Sequence, residues 1–362
     1  MKSGLKKYMS DKIVHSQLMF LQSRLNAFKS TFRKKDYKQP DDLFFAIEDL
    51  PFIGKEYWFL HFCTPGSKDQ VILTFGRALD AVQVNRTNVD KSTKRSVGLK
   101  INKIPCAAVV WLYDSKKGKQ VILNSQVSLS LKGGSGDKTL EAKKGKSNAK
   151  VVGKYPKYEI SLLKNNCRIF VANVRPSKNR VPYEIIRMFS QPLAPGLGAA
   201  MVNYYFDFKG KMLGRNVHGS AYLQKVIAAI PLAPWNWVRM HFKDGTVVDF
   251  FAGKPLGSDN VKVACVAYLE HKGKRTKFDC PKLDYIGDAD ERSWTLRGKG
   301  FLLCMKSYCV QRFKMRSKTE FIYDEFLVTA ANFVAKVNGK TITLDDVGAG
   351  SGIVEEASGY LF

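Results

Sequence analysis

The polar side chains best placed for chemistry lie on segments that otherwise read as apolar strands: His61, Gln224, Arg239, His241, Asp249, Tyr323 and Glu355. A carboxylate or imidazole facing an apolar interior has its pKa pushed toward the neutral form, which suits general acid–base work. Asp249 and His241 are the expected catalytic groups, because both lie on one hairpin, residues 236–251. Lys243-Asp244-Gly245-Thr246 reads as its turn, since Asp-Gly supplies the positive φ values of a two-residue loop. With Asp244 and Gly245 as that loop, Phe242 pairs with Val247, His241 with Val248 and Met240 with Asp249. Trp237, Arg239, His241, Val248 and Phe250 then share one face; Val238, Met240, Phe242, Val247, Asp249 and Phe251 share the other. In this register Asp249 and His241 face opposite sides, so only one lines a given cavity. Neither face is polar, so the hairpin is expected to be covered on both sides and to line an internal apolar cavity. Each polar group also has a plainer reading as a satisfied hydrogen-bonding group of the core. Trp235 and Trp237 either wall the cavity or pack an interface.

Other chemistries lack their residues. There is no Ser-His-Asp order and no His-Glu-x-x-His, and five histidines make a multi-histidine metal site unexpected; no metal and no cofactor are assigned. Gly145-Lys146-Ser147 has Leu140 where a phosphate-binding loop needs glycine, and Gly348-Ala349-Gly350-Ser351-Gly352 has Ile353 where a dinucleotide fingerprint needs one. Seven cysteines, at 63, 106, 167, 265, 280, 304 and 309, include no Cys-x-x-Cys. They read as small buried hydrophobes in a reducing, cytoplasmic compartment. Lys plus Arg outnumber Asp plus Glu by 59 to 32, a formal charge of +27, which draws the chain toward anionic surfaces. Aromatics are not interleaved with the lysine runs at 91–103 and 132–157, so nucleic acid ranks below an anionic membrane surface.

The elements that must position these residues are mostly strands. In residues 1–40, Val14, Leu18, Leu21, Leu25, Phe28 and Phe32 form the stripe of one amphipathic basic helix. It either docks on the body of the protein or lies on a membrane or a partner. After Pro40 short apolar runs are cut by Gly, Pro, Asn and Asp, the pattern of an all-β sandwich or barrel. Residues 132–157, with eight Lys against two acids, read as a flexible basic loop. The Pro- and Gly-rich stretch 176–199 reads as the join, giving one β domain over 41–190 and a second over 191–362.

Three motifs add a resemblance. Gly219-Ser220-Ala221-Tyr222 followed by Pro234-Trp235-Asn236-Trp237 and the Asp-Gly hairpin is similar to the carotenoid 1,2-hydratase (hydroxyneurosporene synthase) and AttH-like group. Glu56-Tyr57-Trp58-Phe59-Leu60-His61-Phe62 resembles the strand that opens that group's first barrel, and Gly352-Ile353-Val354-Glu355 its closing strand. The resemblance implies two tandem lipocalin-like antiparallel β-barrels. It also implies an apolar ligand of the isoprenoid, lipid or polyketide class, with Trp58, His61, Tyr222, Gln224, Trp235, Trp237, Arg239, Tyr323 and Glu355 as ligand-binding residues. The hydratases' Asp-His-x-Trp run falls on Gln224, Lys225 and Ile227, so their proton-transfer groups are replaced. Two readings follow: a lipocalin-like hydratase, isomerase or cyclase, or a non-catalytic lipid-binding or membrane-surface protein peripheral to a membrane.

Overall fold

The computed structural model describes residues 37–47, 50, 54–91, 100–133, 136–178, 180–189, 198–229, 232–254, 263–288 and 290–361. The basic helix expected near the N-terminus lies almost wholly outside them. A short helix α1 (Pro40–Phe44) precedes β1 (Lys55–Cys63), β2 (Gln70–Ala78), β3 (Val82–Val84), β4 (Thr87–Val89), β5 (Lys100–Asp114), β6 (Gly118–Lys132) and β7 (Lys138–Lys144). Then come β8 (Ser147–Lys154), β9 (Lys157–Lys164), β10 (Cys167–Pro176), β11 (Tyr183–Phe189), β12 (Gly198–Met212) and β13 (Arg215–Ala229). The second half holds β14 (Trp235–Phe242), β15 (Val247–Gly253), β16 (Val263–His271), β17 (Lys274–Asp279), β18 (Lys282–Ile286), β19 (Ser293–Gly298), β20 (Phe301–Arg316), β21 (Glu320–Val337), β22 (Lys340–Thr343), α2 (Leu344–Val347) and β23 (Gly350–Gly359).

The first sheet runs β10-β9-β8-β7-β6-β5-β2-β1-β13-β12-β11, and β10 pairs with β12 as well, closing ten of its eleven strands into an antiparallel barrel. Alternation dictates the wall: Trp58, Leu60 and Phe62 of β1 enter the barrel core, while Phe59 faces outward. The supposed loop 132–157 is part of this wall. Leu140 and Ala142 of β7 and Ala149 and Val151 of β8 are buried inside, and the paired Glu141 and Lys150 occupy the outer positions between them. At one end α1 plugs the barrel. Asp41 accepts hydrogen bonds from the Tyr155 backbone N–H (2.9 Å) and the Tyr204 hydroxyl (3.1 Å), and from the Tyr158 hydroxyl.

The expected second barrel is not formed. The second sheet follows β17-β16-β15-β14-β23-β21-β20-β19-β18 and stays open, with β22 and the β3–β4 pair attached off that path. Its two edges, β17 and β18, are joined only through Cys280 and Pro281. Cys280 adopts φ 37° and Pro281 offers no N–H for a ladder. The concave face of this sheet holds its own core, including Met240, Phe250, Trp294, Phe326 and Phe333. The other face lies against the outside of the barrel. Because β12 and β13 belong to the barrel, the chain changes sheet between Ala229 and Trp235, and residue 190 falls within the first sheet's run. Among the described residues no helix is long and apolar enough to cross a membrane.

The hairpin of β14 and β15 also differs from expectation, by one residue. Phe242 N–H bonds to Thr246 O (2.9 Å) and Gly245 N–H to Phe242 O (3.0 Å), so the loop is Lys243-Asp244-Gly245, with Gly245 at φ 90°. A three-residue loop ending in a left-handed glycine is the next most common hairpin. The pairs become His241↔Val247, Met240↔Val248 and Arg239↔Asp249. A shift of one residue turns every side chain of β15 to the other face. Asp249 and His241 therefore face the same side.

Candidate functional site

The layer between the barrel and the open sheet collects most of the polar groups. From β14, Trp237 packs on Phe59 (5.8 Å between centroids) and Tyr222 (5.4 Å) of the barrel's outer wall. One step along the strand, the buried Arg239 guanidinium lies over the rings of Tyr222 (4.6 Å) and Tyr205 (4.9 Å). Asp249 accepts from Trp237 Nε1–H (2.8 Å) and pairs with Arg239, with 28% of its side chain exposed. Asp249 is thus a counter-ion that fixes Arg239 against its two tyrosines. The Tyr222 hydroxyl donates to Asn203 Oδ1 (2.9 Å), and Gln224 Nε2–H donates to the Tyr222 hydroxyl (2.8 Å). The edge of the layer is sealed by Arg275 with Glu184 (3.0 Å) and Arg180 with Glu270 (3.3 Å).

His241 is 1% exposed, and neither of its ring nitrogens has a hydrogen-bond partner in the protein. His61, from β1, approaches it with ring centroids 6.3 Å apart. Gln70 fixes the tautomer of His61. Its Nε2–H groups donate to Gly352 O (3.0 Å) and the Tyr308 hydroxyl (2.7 Å), so its Oε1 accepts from His61 Nε2–H (2.6 Å). His61 Nδ1 is then a bare acceptor without a partner, and Arg239 Nε–H is a donor without one. Burial, then the positive charges of Arg239 and Arg180, with the neighbouring His61 imidazole competing for a proton, hold His241 well below the usual imidazole range. Burial pushes His61 down to about 4, against the opposing Gln70 hydrogen bond and with a further push from Arg239. Both rings are neutral near pH 7. The unpartnered atoms therefore comprise a guanidinium N–H, one N–H and one lone pair of His241, and the lone pair of His61. A hydroxyl group or a water molecule, which accepts and donates at once, complements that set; a carboxylate does not.

One row away on the same face, Glu355 of β23 lies across from Trp237 on one side and Glu325 of β21 on the other. The Tyr323 hydroxyl bridges the two carboxyls, 2.6 Å from Glu355 Oε1 and 3.1 Å from Glu325 Oε1. Trp235 Nε1–H donates to Glu355 (3.1 Å) and Trp111 Nε1–H to Glu325 (2.7 Å). Burial, then the charge of Glu355, pushes Glu325 up to about 8; burial likewise pushes Glu355 up to about 7. Proton counting agrees. A phenol has one proton, so it donates to one carboxylate only, and the other carboxyl must carry a proton and donate to the phenol oxygen. The longer contact and higher pKa place that proton on Glu325. The Glu325–Tyr323–Glu355 chain is thus a buried hydrogen-bonded carboxyl pair in which burial favours a protonated Glu325.

Of the residues singled out from sequence, His61, Tyr222, Gln224, Trp235, Trp237, Arg239, His241, Asp249, Tyr323 and Glu355 all lie on the facing surfaces of the two sheets. Trp58 does not. It is buried in the barrel core, donating to Phe44 O (2.8 Å), with the Lys225 ammonium 3.3 Å over its ring. Lys225, on the hydratase histidine position, pairs there with Glu56, which Arg77 also holds. Sequence reasoning missed Glu325, Trp111, Gln70, Asn203 and Tyr205. The signal for Glu325 was present: Phe321, Tyr323, Glu325 and Leu327 recur at period two and share its face. The seven cysteines are free, but Cys167 and Cys280 are exposed rather than buried.

The chain matches no protein-family model and no curated protein sequence. Solved structures do match it. A protein provisionally named AttH from Nitrosomonas europaea superposes with a TM-score of 0.52 at 15% identity, covering 89% of this chain and 97% of that one. CghA aligns with a TM-score of 0.46 at 10% identity over 84% of this chain and 87% of that one. CghA with Sch210972 aligns with a TM-score of 0.44 at 10% identity over 84% and 88%. The first likeness shows that the chain has an AttH-like fold along nearly its whole length.

Proposed function

We propose that the protein is an AttH-like binder of an apolar small molecule of the isoprenoid, lipid or polyketide class, held between the barrel and the open sheet, and that it acts on a hydroxyl or alkene of that molecule by acid–base chemistry. The observation that carries this reading is the set of unpartnered polar atoms on His241, His61 and Arg239, with the two imidazole rings 6.3 Å apart, in a layer otherwise walled by Phe59, Tyr222 and Trp237. A buried polar group without a partner costs about 1–3 kcal/mol, which a well-packed apolar interface has no reason to bear three times over. The aromatic walls suit an apolar body and the bare donors and acceptor suit one hydroxyl or water. The Glu325–Tyr323–Glu355 chain supplies or takes up the proton that addition or loss of water requires. Arg239, Asp249 and the tyrosines that flank the guanidinium act as positioning residues. The barrel interior is a less fitting place, since its side chains pack on one another and on α1.

Organic extraction and native mass spectrometry of the purified protein test this reading. A co-purified hydroxylated or unsaturated apolar molecule, depleted in His241→Leu, is the expected result. A protein that carries none and takes up none from a mixed lipid and isoprenoid extract would overturn it.

A further inference from the structure

A ten-stranded antiparallel barrel has nine connections, five at one end and four at the other, and here exposed acids accompany the exposed lysines only at the end with four. The turns β1–β2, β5–β6, β7–β8, β9–β10 and β12–β13 all lie at the end opposite α1, because successive strands alternate in direction. The β1–β2 turn is covered by the open sheet: Ser351 Oγ–H donates to Ser67 O (2.6 Å), and Cys63 Sγ–H to Ser351 O (3.3 Å). The other four turns are open to solvent and follow one another around the ring. They carry Lys116 and Lys117, then Lys143, Lys144 and Lys146, then Arg168, then Lys211, all exposed. Asn166 N–H bonds to Lys146 O (2.9 Å) and Leu213 N–H to Ile169 O (2.8 Å), so neighbouring turns are held together.

The acids at this end do not neutralise the ring. Asp69 and Asp114 both pair with Arg215, and Asp114 also accepts from the backbone N–H groups of Lys116 (2.9 Å) and Lys117 (2.8 Å). Among the described residues no ion pair involves any of the seven basic side chains of the crown. The opposite end, closed by α1, is mixed in charge: Lys132, Lys154 and Lys157 are exposed there, but so are Asp42 and Asp137.

We propose that this basic crown is a docking surface for an anionic phospholipid bilayer, which the barrel meets end-on. Four turns at one end of a barrel present their charges toward a plane, not along a groove. The exposed members of the crown include no aromatic side chain on which a nucleic-acid base could stack. They include no large apolar side chain to insert either, so the contact is electrostatic and weakens as salt rises.

Vesicle co-sedimentation of the full chain tests this, with phosphatidylcholine alone and phosphatidylcholine mixed with phosphatidylserine, over a range of NaCl. The Lys143→Glu, Lys144→Glu, Lys146→Glu triple variant should partition about tenfold less onto the acidic vesicles. A charge-matched triple on turns of the open sheet, Lys274→Glu, Lys299→Glu and Lys340→Glu, should stay within about twofold of the parent chain. All six positions are exposed, and circular dichroism checks that both variants fold. Equal loss in the two variants, or loss in neither, would overturn the proposal by assigning the binding to bulk charge or to another segment. Equal binding to neutral vesicles would overturn it too. So would crown-dependent binding of a single-stranded RNA oligonucleotide without binding of acidic vesicles.

Discussion

His241 is the residue on which stability and function are set against each other. It is buried and neutral, and its ring nitrogens find no partner in the protein. In the delipidated protein, His241→Leu removes that desolvation cost, and Tm should rise by a few degrees, equivalent to about 1 kcal/mol or more. Ligand retention should fall in the same variant. Differential scanning fluorimetry reads the first effect, and a lower Tm would mark the imidazole as structural. The carboxyl pair gives a pH test. Glu325 and Glu355, raised to about 8 and about 7 from 4.5, hold protons in the folded chain that the unfolded chain releases, so their contribution to stability is lost as pH rises from 4.5 toward 8. His61 and His241 work the other way, since the unfolded chain takes up protons below 6.5 that the folded chain refuses. The two effects oppose each other between 4.5 and 6.5, so the expected decline in Tm attributable to these groups begins above about pH 6.5. Glu325→Gln copies the protonated carboxyl, its amide donating to Tyr323 and its carbonyl accepting from Trp111. It should fold normally and flatten that decline. Glu355→Gln loses one acceptor for Tyr323 or Trp235 and should cost about 1–3 kcal/mol. An undiminished decline in Glu325→Gln would rule out its protonation as the cause.

At the scale of elements, the β7–β8 hairpin shows why part of the fold was hidden in the sequence. Leu140, Ala142, Ala149 and Val151 alternate with mostly polar residues such as Glu141, Lys143 and Lys150, a sound half-buried strand pattern, but two of the four are alanines and the charge density reads as a loop. Replacing residues 138–154 by a Gly-Ser linker should break the closed ring and abolish cooperative unfolding. Hydrogen exchange should find the amides of β8 as protected as those of β1. Rapid exchange throughout β8 would contradict its place in the wall. The β14–β15 hairpin was legible as a hairpin and misread by one residue, because Asp-Gly serves both a two-residue loop and the end of a three-residue one. That single residue decided whether Asp249 could reach Arg239. Gly245→Val should cost about 1–2 kcal/mol, because φ 90° is unfavourable for a β-branched side chain.

At the scale of the molecule, the all-β character and the AttH-like likeness could be read from turn spacing and a few aromatic motifs. The closure of one sheet and the openness of the other could not. Closure depends on β10 meeting β12 across an intervening strand, a long-range pairing that no local pattern records. The same limit hid the partners of Glu325: its period-two placement beside Tyr323 was legible, but Trp111 and Glu355 come from elsewhere in the chain. The two sheets share one apolar layer and cross-links such as Gln70 to Gly352 and Trp111 to Glu325, so they should unfold together. Urea transitions followed by tryptophan fluorescence and by far-ultraviolet circular dichroism should coincide, whereas two separated transitions would show independent units. The central claim, that an apolar ligand lies between the sheets, is tested most directly by photo-crosslinking with a diazirine-bearing fatty alcohol and residue-level mass spectrometry. Adducts should fall on the outward residues Phe59, His61, Tyr222, Trp237 and His241, and should be displaced by excess unlabelled alcohol. Competed adducts confined to the inward residues Trp58, Leu60 and Phe62, or adducts that no competitor displaces, would contradict the account.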